Sequence, residues 1–289
     1  MEQNLKDALY FEKLGDGVVR CGLCPHGCVL KENGTGICLA RKNVGGRLYT
    51  MNYACVTSLA LDPVEKKPLY HFHPGKLILS TGTYGCNFKC SYCQNWTIAQ
   101  RDAQYTEITP EQLACLASEY VNRGNIGVAY TYNEPSIWYE FVYDSARLVR
   151  EKGLANVLVT NGFINRKPLE DLLPYIDAMN IDVKAFTEEF YGQFCKGGLD
   201  AVKKTVELSA SRCHVEITTL VIPGLNDSPD EIGRLAQWLS TISPDIVLHL
   251  SRFFPNYRMK DVPPTPLSTL QKARDSALLY LRHVYLGNV

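Results

Sequence analysis

From residue 77 onward, apolar runs alternate with amphipathic stretches, and this alternation limits the possible fold more than any other feature of the chain. Strand candidates cover 77–81, 126–131, 155–160, 177–183, 213–221 and 246–252; helix candidates fall between them at 110–122, 135–151, 187–194, 199–210 and 228–241. Strand followed by helix, repeated, requires a parallel sheet with helical crossovers, an α/β architecture. Thr109-Pro110-Glu111 has the form of a helix start, and Pro223-Gly224 and Ser243-Pro244 punctuate the strands. Six such units are too few for a closed eight-fold barrel. The pattern therefore predicts a partial (β/α)6-type TIM barrel, with its chemistry at the carboxyl ends of the strands. With 289 residues, 46% of them hydrophobic, the chain can bury one large core and carry a small appendage. The expected division is a Cys-rich segment and linker over 1–75 and the barrel over 76–289.

Composition narrows the function. Thirty basic residues balance thirty acidic ones, so nothing suggests a nucleic-acid partner. The chain has no apolar run long enough for a membrane span, and its polar, mixed-charge start does not read as a secretory signal. Eleven cysteines would suggest disulfides in an exported protein. Close spacing and the absence of an export signal favour metal ligation in a reducing, cytoplasmic setting instead.

The tightest group is Cys86, Cys90 and Cys93, spaced CxxxCxxC directly after the apolar run Leu77-Ile78-Leu79-Ser80. Three thiolates on one loop can hold three corners of a 4Fe–4S cluster and leave the fourth iron open to a ligand. A zinc knuckle would need a fourth ligand nearby, and none lies between Tyr84 and Arg101. An aromatic residue, Tyr92, precedes the third cysteine.

Residues at the strand ends form the second group. Asn133-Glu134-Pro135 places a carboxylate where it can accept from an ammonium group, or where it simply begins a helix beside a proline. Thr160-Asn161-Gly162 is either a polar ligand-facing turn or a plain one. Asp182 and Lys184 share a face at period two; they form an internal salt bridge or await a zwitterionic ligand. The run Val221 to Asp227 suits an adenine-facing wall. His249 on the last strand is a weaker site candidate, since a strand histidine is more often a satisfied core residue.

These motifs resemble those of radical S-adenosylmethionine (SAM) enzymes of the glycyl-radical-enzyme activase type, the pyruvate formate-lyase activating enzymes. Asn-Glu-Pro stands in place of that group's Gly-Gly-Glu-Pro. Over the whole chain, with Cys24-Pro25-His26-Gly27-Cys28, Asp62 to Pro68 and Pro255-Asn256-Tyr257, the sequence is similar to the AmmeMemoRadiSam-system branch. The resemblance implies that Cys86, Cys90 and Cys93 ligate the cluster. It also implies that Tyr92, Asn95, Asn133, Glu134, Thr160, Asn161, Asp182, Lys184 and His249 form the SAM site. A flavodoxin- or ferredoxin-type donor would supply the electron. The resulting 5′-deoxyadenosyl radical would take hydrogen from a protein glycine, another peptide or protein site, or a small molecule. The activases carry an acid before the Thr-Asn-Gly turn, at a monovalent-cation site; here Val159 occupies that position.

Ahead of the barrel, Cys21, Cys24, Cys28 and Cys38 form CxxCxxxCx9C, with His26 inside. Four thiolates suit structural zinc, the favoured reading, or an auxiliary 4Fe–4S cluster, and His26 can stand in for one of the cysteines. Cys55, Cys115, Cys195 and Cys213 read as small core residues. The stretch 62–75 is either a solvated linker or a lid over the barrel mouth, with Lys66, Lys67 or His71 near the ligand.

Overall fold

A computed structural model describes residues 5–101 and 103–289. Its main sheet contains β1 (Ser58–Pro63), β2 (Leu77–Gly82), β3 (Asn125–Tyr130), β4 (Ala155–Thr160), β5 (Ala178–Asp182), β6 (His214–Val221), β7 (Val247–Arg252) and β8 (Val284–Gly287). The strands lie side by side in sequence order; β2 to β8 run parallel, and β1 runs antiparallel along β2. Six crossover helices are α1 (Pro110–Glu119), α2 (Tyr139–Glu151), α3 (Arg166–Leu172), α4 (Leu199–Ala210), α5 (Pro229–Ile242) and α6 (Leu267–Leu278). This is the expected partial-barrel architecture, and all six expected strands are present to within one residue at each end.

Local chemistry explains the boundaries. Thr109 accepts from the Gln112 backbone N–H while the Gln112 side chain accepts from the Thr109 N–H, a reciprocal cap with Pro110 at the first helical position. α1 stops short of 122 because the chain tightens over Val121–Arg123 and turns at Gly124, φ 90°. The helix expected over 187–194 is one short turn, Glu188–Phe190, that widens into a π-type turn over Tyr191–Cys195.

Three elements exceed the expectation. α6 buries only Leu270, Ala273 and Ala277, too weak a stripe to stand out in the sequence. α3 contains Pro168, and β8 has only four residues. A further surprise concerns the segment 62–75, which is neither a solvated linker nor a lid over the mouth. Its first residues belong to β1, which runs from the carboxyl end of β2 (Ser58 opposite Gly82) to the amino end (Pro63 opposite Leu77). The chain then crosses under the sheet, burying Val64 and Leu69 fully with Ile78, Ala129, Val157 and Ala178. Each of those two aliphatic side chains contributes roughly 1.5–3 kcal/mol of burial energy. The barrel's sheet therefore begins before residue 76.

At this amino end, Glu216 of β6 accepts from the Tyr70 and His71 backbone N–H groups at 2.9 and 2.7 Å. His214 and His249 lie against the same carboxylate at 2.9 and 2.6 Å. Among the described residues, no helix is long and apolar enough to cross a membrane.

Candidate active site

A cavity of about 390 Å³ opens at the carboxyl ends of the strands, and Cys86, Cys90 and Cys93 lie in its wall beside Glu134, Asp182 and Lys184. The loop carrying the cysteines is short, so other elements must hold its shape. Lys89 and Ser91 donate backbone N–H bonds to the carbonyls of Cys195 and Phe194, at 2.8 and 3.0 Å, on the π-type turn. Asn87, which the sequence reading passed over, donates to the Phe163 carbonyl and accepts from the Asn161 side chain, both at 2.8 Å.

Three residues expected to contact the cofactor serve as braces for this loop. Asn133 accepts from the Thr83 N–H and donates to the Gly85 carbonyl. Asn95 donates to the Tyr132 carbonyl at 2.5 Å. Asn161, besides holding Asn87, points an amide N–H at the Cys86 sulfur from 3.7 Å. Asn95, Asn133 and Asn161 still line the cavity. Sequence placed these side chains at the right strand ends but could not give their direction.

The thiols differ in environment. Burial pushes Cys86 up, with Glu134 nearby adding to the effect, and burial lifts Cys93 to about 11. Cys90 is pushed down, first by a hydrogen bond from Cys195 and further by the Lys184 ammonium. Cys195 also meets the Tyr92 hydroxyl at 3.2 Å. It is thus a partner of the three-cysteine loop as well as a small core residue. Cys115 is exposed and does not belong to the core at all.

Glu134 is 1% exposed, and its carboxylate accepts from Ser136 N–H (2.9 Å), Thr160 hydroxyl (2.6 Å) and Asn161 N–H (2.7 Å). Burial nevertheless raises its pKa, because all three donors are neutral. Thr160 therefore acts through Glu134. A carboxylate has about four acceptor positions, so one remains for a ligand cation. Asp182 and Lys184 pair at 2.6 Å. Burial opposes the Lys184 charge, but Asp182 and the neighbouring Cys90 outweigh it and hold the ammonium firmly protonated.

Two expectations fail here. His249 stays out of the cavity; it packs edge-on against Tyr70 beside Glu216, while Ser251, two residues further along the same strand, reaches the wall. Two residues of strand are about 6.6 Å, enough to put His249 beneath the floor. The run 221–227 is not an adenine-facing wall, since Asn226 turns inward to bind the Ile222 N–H and the Lys184 and Leu220 carbonyls. Thr218 and Leu220 of β6 face the cavity instead.

Lys66 and Lys67, two of the residues expected near the ligand, line the cavity, but from its floor and not as a lid. Lys67, 3% exposed, pairs with Asp62 at 2.9 Å, and the Tyr132 hydroxyl donates to the same carboxylate at 2.9 Å. Burial would raise Asp62, but Lys67, Tyr132 and Lys66 bring it down to about 2. Only the fold-back of β1 brings Asp62 under Tyr132.

The donor set suits a three-thiolate iron–sulfur cluster. All three sulfurs face one cavity, the Phe88 N–H lies 3.3 Å from Cys86, and Thr218 keeps a buried hydroxyl without a partner in the cavity wall. Among the described residues, no three His, Cys, Asp or Glu side chains gather to hold a single metal ion.

Comparison with known proteins agrees with this geometry. Residues 80–239 match the Radical SAM superfamily. An uncharacterized protein of Methanocaldococcus jannaschii, MJ0808, is 43% identical over 99% of this chain and 86% of its own length. The pyruvate formate-lyase-activating enzyme of Clostridium pasteurianum is 29% identical over 55% of this chain and 67% of its own. The structure of Streptococcus suis SuiB bound to S-adenosylmethionine shares the fold, with a TM-score of 0.58 at 14% identity over 73% of this chain and 51% of SuiB. The stretch matched to the superfamily spans the three-cysteine loop, Glu134 and the Asp182–Lys184 pair, and the chain is an enzyme that belongs to the radical SAM superfamily.

Proposed function

We propose that Cys86, Cys90 and Cys93 carry a 4Fe–4S cluster, and that SAM binds beside it in the cavity at the carboxyl end of the sheet. The observation behind this reading is that the three thiols share that cavity with a buried carboxylate, Glu134, and an ion pair, Asp182–Lys184. Together, cluster and SAM supply a 5′-deoxyadenosyl radical, which abstracts hydrogen from a substrate. The protein binds and orients. Glu134 offers its free acceptor position to the methionyl ammonium, and Lys184 offers its charge to the carboxylate. Asn87, Asn133 and Asn161 keep the thiol loop rigid, so that the reacting atoms meet in one geometry. The Lys67–Asp62–Tyr132 floor closes the cavity from below, so substrate enters through the mouth and water is limited to one side.

The similarity to activating enzymes supports a residue of a peptide or protein as the substrate, with a flavodoxin- or ferredoxin-type electron donor and a reducing, cytoplasmic setting. The buried Lys67 favours a second reading, a small substrate with an anionic group. Anaerobically reconstituted protein with dithionite should convert SAM to 5′-deoxyadenosine, and Cys90→Ala should lower the rate by about 10³-fold or more. A fully loaded wild-type protein that forms no 5′-deoxyadenosine would refute the proposal.

A further inference from the structure

The small cysteine-rich segment at the amino terminus is not used by the reaction, yet it is built around a cavity of its own. Cys21, Cys24 and Cys28, close in sequence, and the more distant Cys38 all line this one cavity, closed by Arg41 and Ile137. From these residues we infer that the four cysteines hold a second iron–sulfur cluster, of the 4Fe–4S type, against the back of the loop that carries Cys86.

Three observations converge on this site. First, the cysteines converge: Cys21, Cys24 and Cys38 are buried and Cys28 is half-buried, all around one cavity.

Second, the cavity is prepared for an anion. Arg41 is 1% exposed, and one guanidinium nitrogen pairs with Glu140 at 2.9 Å. Its Nε is buried with no partner, and the residue lines the same cavity as the cysteines. An unpartnered buried donor costs roughly 1–3 kcal/mol. A cluster with four thiolates is anionic overall, and its sulfides accept hydrogen bonds, so it would answer both the charge and the orphaned N–H.

Third, the spacing favours a cluster over zinc. Tetrahedral zinc, with a Zn–S bond of about 2.3 Å, draws its sulfurs to roughly 3.8 Å of one another. The four cysteines share a cavity, but no three of the described ligand-type side chains are gathered for a single ion. Cys86, Cys90 and Cys93 behave the same way, as sulfurs at the corners of a cubane should.

The second site adjoins the first. Gly85, φ 87°, packs so closely on the Cys38 carbonyl that no Cβ could fit there. His26 Nε2 lies 2.8 Å from the Asn87 carbonyl. The two residues flanking Cys86 therefore both touch the cysteine-rich segment.

The test uses the full chain, reconstituted anaerobically with ferrous iron and sulfide. Wild type should take up about eight irons per chain, and the triple variant Cys86→Ala/Cys90→Ala/Cys93→Ala about four, with a paramagnetic signal after reduction. Adding Cys28→Ser to the triple variant should remove most of that remaining iron. A wild-type protein with about four irons and a triple variant with none, or with zinc alone, overturns the inference. If the triple variant does not fold, reduced wild type decides: two signals, of which SAM alters one, support the second cluster, and a single signal with about four irons excludes it. None of these readouts depends on SAM cleavage, so the inference and the proposed activity can fail separately.

Discussion

Two carboxylates are buried at opposite ends of this sheet, and they have moved in opposite directions. Glu134, at the carboxyl end, is 1% exposed and its pKa is raised; Glu216, toward the amino end, is 0% exposed and brought down to about 2. Depth does not separate them, since burial is the largest influence on both and raises both. Partners do. Glu134 has three neutral donors, whereas Glu216 has two backbone N–H groups and two imidazoles, His214 and His249. At the amino end the charge is fully answered and the sheet is sealed. At the carboxyl end the protein leaves a charge unanswered, in a cavity lined with thiols. Such a deficit is costly unless a ligand cation completes it. The finished end is structural, and the unfinished end is where binding occurs.

The largest expected effect breaks the finished end. Glu216→Gln removes the anion that ties Tyr70, His71, His214 and His249 together, and should cost on the order of 3 kcal/mol, the equivalent of the depressed pKa. The sign follows from that depression. The stabilisation is complete above the unfolded value of about 4.3 and is lost as pH falls toward about 2. Urea unfolding of the two proteins should therefore converge in that acid window and diverge above it. A gap that persists unchanged to pH of about 2 would mean that packing, and not this charge, holds the plug.

Glu134→Gln probes the unfinished end. Losing a charge-assisted hydrogen bond of about 1.5–3 kcal/mol should weaken SAM binding by roughly 10–100-fold. Isothermal titration of the anaerobic, cluster-loaded protein measures this directly. Unchanged affinity together with a marked loss of stability would make Glu134 a brace like Glu216, and the contrast between the two ends would disappear.

The sequence made one kind of information readable and hid another. Strand positions were clear because alternating apolar runs are a local property, and the cysteine loop was clear because its spacing is local too. Asn95, Asn133 and Asn161 could be placed at the cavity, yet their role in holding the loop depends on where Gly85, Asn87 and Tyr132 come to rest. Cys195 reaches Cys90 only because the helix before it widens into a π-type turn. His249 was misplaced because period two gives a side chain's face but not its depth.

Lys67 gives the smallest expected effect and bears on the boundary between the two ends. Its ammonium pairs with Asp62 at 2.9 Å and sits 4.9 Å from the Tyr132 ring centroid, so it belongs to the floor and also lines the cavity. In Lys67→Met, Asp62 keeps the Tyr132 hydroxyl and Lys66, the latter at 3.3 Å. The stability loss should therefore be about 1–2 kcal/mol, less than for a buried charge left alone. Because the lysine lies on the floor and not over the mouth, SAM cleavage in the absence of substrate should stay within about three-fold of wild type. A loss of cleavage as severe as that of Cys90→Ala would move Lys67 from the floor into contact with SAM. An unchanged cleavage rate with a higher KM for an anionic substrate would instead place the substrate between the two ends, on Lys67 below and the thiol loop above.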